Sequence, residues 1–313
     1  MPRMLGTGEE RCARVSIWIG VLALIAGSAC STARDDADPP SDAGGEWRHL
    51  PVASGDFSCV GLRTAPPRGE SSTFAVHVHD LQSGESSDVA NAALQIFPDG
   101  VVTPGCAGSC QDLRSDAAGE VAGVMGQAGG WLAYRIEPGT AGGGSAPVLT
   151  IGYQHVTPAT GGLLELASVS SMTIGFIPSV YRRMRLPGTA IVMGTIVDCA
   201  GDAVEHAILR VYRGSQLLTP GPDAIDFFVG YFDFSGRLHP PNGSTGPDGF
   251  YTAVNVEPEF DPLRFEVWAR TEDGGELRAI GCEEVPGFAD GVTHVALGPL
   301  RSDYAPGSGC SAL

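Results

Sequence analysis

The chain has 313 residues, room for two domains of ordinary size. All 19 basic residues are arginine, which excludes Schiff-base and lysine-nucleophile chemistry. The net charge of −17 opposes a nucleic-acid backbone, so no nucleic-acid partner is expected.

Arg3, Arg11 and Arg14 precede a run of twelve apolar residues at 15–26, VSIWIGVLALIA. That run is shorter than the roughly 20 residues of a spanning helix and reads as an export signal over 1–29. Gly27-Ser28-Ala29-Cys30 resembles the lipobox of bacterial lipoproteins. The resemblance implies acylation of Cys30 and a membrane partner reached through that lipid. By analogy with enteric lipoproteins, Ser31 after the cysteine implies sorting to the outer membrane, with the periplasmic or surface face left open.

Residues 30–46 follow as an acidic tether, rich in Asp and Pro and too poor in apolar surface to repay ordering. Asp35, Asp36, Asp38 and Asp42 lack the ligand spacing of a calcium loop. Beyond the tether, short β-type runs alternate with Gly, Pro, Asp and Ser clusters. Strands are expected at 74–78, 92–97, 131–136, 148–153 and 163–169, then at 190–197, 207–212, 250–256, 264–269 and 293–297. That spacing indicates an all-β chain of two tandem Ig-like β-sandwich domains, 47–185 and 186–313.

The two halves carry the same order of features. A strand ending in Asp198, a Gly turn, Val204 and a strand from Ala207 correspond to a strand ending in Asp80, a longer turn, Val89 and a strand from Ala92. SDAAGEV at 115–121 then takes the place of GPDGFYT at 246–252. In the second stretch Pro247-Asp248-Gly249 is turn chemistry that opens a strand at Phe250, not a calcium loop.

Ile196-Val197-Asp198, Gly201, Val204, the strand from Ala207 and Pro247-Asp248-Gly249-Phe250 together resemble the carboxypeptidase regulatory-like domain, a transthyretin-like sandwich. With the lipobox and acidic linker, the whole is similar to a group of myxobacterial lipoproteins for which no activity is implied.

Eight cysteines stand at 12, 30, 59, 106, 110, 199, 282 and 310. After loss of the signal and acylation of Cys30, six remain for disulfides in an oxidising compartment. Pairing within domains suggests Cys106 with Cys110, or one of these with Cys59, and Cys199 with Cys282. Cys310 is then left for whichever N-terminal cysteine is free. The CxxxC spacing of Cys106 and Cys110 is not the CxxC of redox or zinc sites.

Between the halves, 170–187 reads as a short helix or linker in which Arg182, Arg183 and Arg185 answer neighbouring carboxylates. The insertion 215–242 gathers Phe227, Phe228, Tyr231, Phe232 and Phe234. Exposed beside a concave surface, these aromatics would bind a carbohydrate or peptide; otherwise 225–234 is an extra hairpin covering a sheet edge.

The chain has no G-x-S-x-G, H-E-x-x-H, Walker or strand-following G-x-G-x-x-G motif. His77 and His79 share one strand face and are the sharpest metal candidates, with no third ligand to name. Ala75, His77 and His79 equally fit a polar outer face opposite Phe74, Val76 and Val78. An iron site like that of intradiol dioxygenases would need Tyr181, Tyr231 and His239, but no H-x-H pair follows Tyr251. The expectation is therefore a non-catalytic envelope lipoprotein without a cofactor, meeting an envelope protein or polysaccharide. A carbohydrate- or peptide-binding receptor is the alternative, and a metal-dependent enzyme on a sandwich stands third.

Overall fold

A computed structural model describes residues 49–313 except 66–68, 83–86, 104–105, 107–109, 140–145, 157–162, 233–242, 259–261 and 305–307. The signal segment, Cys30, the acidic tether, Phe234 and His239 lie outside the described residues.

The first half contributes β1 (Ser71–Asp80), β2 (Ala93–Phe97), β3 (Gln111–Arg114), β4 (Glu120–Gln127), β5 (Trp131–Ile136), β6 (Thr150–His155) and β7 (Leu164–Ser168). Helix α1 (Ser171–Val180) follows, capped by the Ser170 hydroxyl, which accepts the Thr173 N–H. The second half holds β8 (Ala190–Thr195), β9 (Ile208–Arg213), β10 (Gln216–Leu217), β11 (Phe228–Tyr231), β12 (Phe250–Val256), β13 (Leu263–Ala269), β14 (Arg278–Val285) and β15 (Val292–His294). The ten expected strands all form; β3, β4, β10, β11 and β14 are additional.

The chain is all-β and its halves share one topology. In the first, β1 lies between antiparallel β4 and parallel β7, facing a layer in which β5 lies between β2 and β6. In the second, β8 lies between antiparallel β12 and parallel β15, facing a layer in which β13 lies between β9 and β14. Val76, Val78, Leu94, Ile96, Leu132, Tyr134 and Leu166 fill the first core. Val192, Ile196, Leu209, Val211, Tyr251, Phe265 and Val267 fill the second.

Equivalence extends to single hydrogen bonds. The Ala92 N–H donates to the Ser115 hydroxyl at 2.8 Å, and that hydroxyl donates to the Val89 carbonyl at 2.7 Å. Ala207, Thr245 and Val204 repeat this at 2.9 and 2.7 Å. Loss of either hydroxyl would leave a buried N–H and carbonyl unpaired, at about 1–3 kcal/mol. Gly119 and Gly249 take positive φ, +75° and +62°, where a Cβ would stand 2.7 Å from the Val78 carbonyl oxygen and 2.6 Å from that of Ile196. Gly119 therefore corresponds to Gly249, and 115–121 matches 245–251, one residue before the sequence register. The turns align on their left-handed glycine, and Ser115 takes the place of Thr245.

The halves are also joined. β15 pairs in parallel with β6 as well as β8, so one eight-stranded sheet runs β11-β12-β8-β15-β6-β5-β2-β3. Residues 52–63 pack on the second core instead of the first: Val52 bridges Arg270, Arg63 bridges Arg301, and Ala53, Phe57 and Val60 join that core. The disulfides follow this path, Cys59–Cys199, Cys106–Cys110 and Cys282–Cys310. The expected Cys199–Cys282 pair does not form. Cys199 lies in the turn after β8, where the 52–63 segment passes, and the C-terminal 3-10 turn (Gly309–Ala312) returns Cys310 to β14.

Candidate functional site

Along β1 the alternation sends Val76 and Val78 into the first core, and His77 and His79 to the opposite face. That face is not solvated as the alternation alone suggests: His77 is 7% and His79 9% exposed. Neighbouring segments place carboxylates beside both rings. Glu165 stands across from His77 on parallel β7, and Asp88 bridges His79 from the other side. Glu165 Oε2 lies 2.7 Å from His77 Nδ1 and 3.2 Å from His79 Nδ1. Asp88 Oδ1 lies 3.0 Å from His77 Nε2.

Burial works against a charged His77 ring, but the hydrogen bonds and charges of Glu165 and Asp88 outweigh it, and the pKa is raised. His294 on β15 is the opposite case. Burial, with the charge of His79 acting in the same direction, pulls it down to about 4. Sequence reasoning found both histidines of the cluster and missed its carboxylates. The available signal for Glu165 was a single ionisable residue inside the apolar run LLELASV.

Of its two expected places, the aromatic insertion takes the sheet edge and not an exposed binding surface. β11 pairs along the edge of β12, and Phe228 and Tyr231 are each 5% exposed. Tyr231 enters the second core, where its hydroxyl accepts the Leu209 N–H at 2.7 Å, and Phe227 packs against the same core. Phe228 and Phe232 turn to the other face, with ring centroids 5.2 and 5.9 Å from Tyr181. Phe227, Phe228, Tyr231 and Phe232 are thus packing residues, because an open sheet edge is covered by the added strand. Tyr181 packs on the face of Phe228 and Phe232, while the Tyr231 hydroxyl is taken up by the Leu209 N–H in the second core. Arg185 pairs with the Asp290 carboxylate as expected, whereas Arg183 lies over the Phe228 ring at 4.5 Å and donates to the Asp223 backbone carbonyl, and Arg182 is exposed.

A cleft of about 250 Å³ opens where the first half's sheet meets β14, lined by Asp99, Trp131, Tyr153, Glu283, Val295 and Arg301. Burial lifts the Glu283 carboxyl to about 7 against the opposing charges of Arg301 and Arg63. Its folded pKa exceeds the ordinary 4.5, so the folded state holds this proton more tightly than the unfolded chain. The contribution of Glu283 is most favourable below pH 4.5 and declines as pH rises to about 7, by up to about 3 kcal/mol. Glu283→Gln is expected to remove that slope and raise stability at pH 8, read from urea midpoints of both proteins across the range. Parallel profiles for the two would refute it.

These features define a double β-sandwich with a buried His-His-carboxylate cluster and a cleft at the junction. No family model matches the chain, that of the carboxypeptidase regulatory-like domain included, and no curated protein matches it. Among solved structures the chain is similar to the Bacillus anthracis TIE protein, at 12% identity over 73% of this chain and 34% of that one, with a TM-score of 0.21. It is also similar to a Streptococcal ancillary pilin, at 13% identity over 73% and 62% with a TM-score of 0.22. BcpA, the major pilin subunit of Bacillus cereus, gives 9% identity over 73% and 69% with a TM-score of 0.21. The chain thus spans 34% and 62% of the first two. Similarities this weak carry no argument about function, and the fold class stands on the chain's own strands.

Proposed function

We propose that this chain is an exported, lipid-anchored and non-catalytic component of the cell envelope, in which two sandwich modules work as one stiff body. The observation that supports this best is the eight-stranded sheet shared by both halves, with Cys59–Cys199 tying residues 52–63 to the second core. Such a body suits a structural or docking part that meets an envelope protein or polysaccharide. The Ile-Val-Asp strand end at 196–198 and the Asp-Gly turn at 248–249 favour a distant relation to carboxypeptidase regulatory-like modules. Among the described residues no helix is long and apolar enough to cross a membrane, so attachment in this reading falls to Cys30. The receptor alternative loses its surface, since four of its five aromatics are packed inward.

The test is acyl labelling and fractionation of the full chain in a Gram-negative host. The wild type is expected to incorporate a fatty-acid probe and sediment with membranes, and Cys30→Ala to lose the label and become soluble. Retention of label by Cys30→Ala would end the lipid-anchor reading.

A further inference from the structure

We propose that His77, His79 and Glu165 form a binding site for a divalent transition-metal cation of the zinc class. This goes beyond the envelope role and is independent of it.

Nδ1 of His77, Nδ1 of His79 and one carboxylate oxygen of Glu165 converge, and the ligand atoms of the three residues lie within 4.8 Å of one another. Donors bound tetrahedrally at about 2.0–2.2 Å from zinc stand about 3.3 Å apart, so the observed 2.7 and 3.2 Å need only a small opening. Two residues at i and i+2 of one strand and one directly across on its neighbour are held by ladder hydrogen bonds. This fixes the donors before any ion arrives.

The donors are supported from behind. A metal-bound imidazole usually donates its other ring N–H to a carboxylate, which fixes its tautomer and orientation. With the cation on Nδ1, His77 donates from Nε2 to Asp88 at 3.0 Å. Glu165 and Asp88 together carry the two negative charges that balance a dication among nearly buried rings. The Glu165 and Asp88 side chains are 31% and 51% exposed, leaving a path from solvent and room for a water as fourth ligand.

The repeat supplies its own control. Val78 and Ile196 both donate to the left-handed glycine turn, at Gly119 and Gly249, so His77 and His79 correspond to Thr195 and Val197. The His79–Asp88 bridge is matched by Val197–Ala203, so Asp88 corresponds to Ala203. Leu166 beside Val78 matches Leu297 beside Ile196, so Glu165 corresponds to Ala296. The same scaffold is therefore built in the second half from Thr, Val, Ala and Ala. The sandwich does not require the four polar groups, and burying the two imidazoles carries a desolvation cost that a bound cation offsets.

The experiment uses the full chain, produced without a histidine tag, stripped with a chelator and titrated with Zn²⁺ against a chromophoric competitor. One equivalent is expected to bind. The pair His77→Thr with His79→Val, which installs the residues of the second half, is expected to abolish binding, and Asp88→Asn to weaken it about 10–100-fold. Circular dichroism checks that the double variant folds. If it does not, Glu165→Gln on the intact histidine pair reads the same question through a loss of at least about tenfold. No stoichiometric Zn²⁺ uptake by the wild type, or uptake unchanged in a folded variant, would overturn the proposal.

Discussion

Gly194→Ala is expected to destabilise the chain by about 3 kcal/mol or more. A Cβ at position 194 of β8 would land on the Val295 carbonyl oxygen, with the carbonyl carbon 2.7 Å away. A side chain could swing aside, but this obstacle is backbone held in place. The Val295 N–H donates to the Met193 carbonyl at 2.9 Å, and β15 is paired on both sides. Relief requires moving β15 out of register. That strand has three residues and joins β6 to β8, so its movement divides the eight-stranded sheet. Gly175→Ala in α1 is the control, because nothing lies within 4 Å of its added Cβ and alanine favours a helix. Urea denaturation of both should show a large loss for the first and none for the second. A Gly194→Ala midpoint equal to wild type would mean that β15 is not held as described.

Removing the Cys59–Cys199 bridge, by alanine at both positions, is expected to cost about 4–5 kcal/mol. It closes 140 residues of sequence, against 28 for Cys282–Cys310 and 4 for Cys106–Cys110. The entropy taken from the unfolded chain grows with the logarithm of that span, so the losses should rank in the same order, near 5, 4 and 2 kcal/mol. The long bridge also holds 52–63 against the second core, where the Asp56 N–H donates to Asp198 Oδ2 at 2.6 Å. Melting temperatures of the three double-alanine variants test the ranking. A larger loss from Cys106–Cys110 than from Cys59–Cys199 would contradict both the span and the packing of that segment.

Much of the architecture was legible because it is written in local chemistry. Trp131–Ile136 and Phe250–Val256 are strands with the expected ends, since alternation and flanking Gly or Pro mark them. β14 escaped notice because Glu283 and Glu284 give it a polar look, and β4 was legible only as an interrupted stretch after the 115–119 turn, because Gly123 and Gly126 break its pattern. The repeat was visible within one residue, and the structure corrected its register because Gly119 and Gly249 must align on positive φ. His77 and His79 were legible as a pair, since i and i+2 share a face on any strand. Their carboxylates were not, because Glu165 meets His77 only through the parallel β1–β7 pairing, 88 residues along the chain.

The all-β class, the two copies of one strand order and the glycine corners that open β4 and β12 could be read from the residues alone, because each depends on neighbours a few positions apart. It took the folded chain to establish that 52–63 joins the second core, that β15 pairs with β6, that the aromatic insertion packs inward and that Glu165 and Asp88 converge on His77. Each of these depends on which surfaces meet after the strands have formed. Burial and strand pairing set that choice across long separations, and no local pattern encodes it.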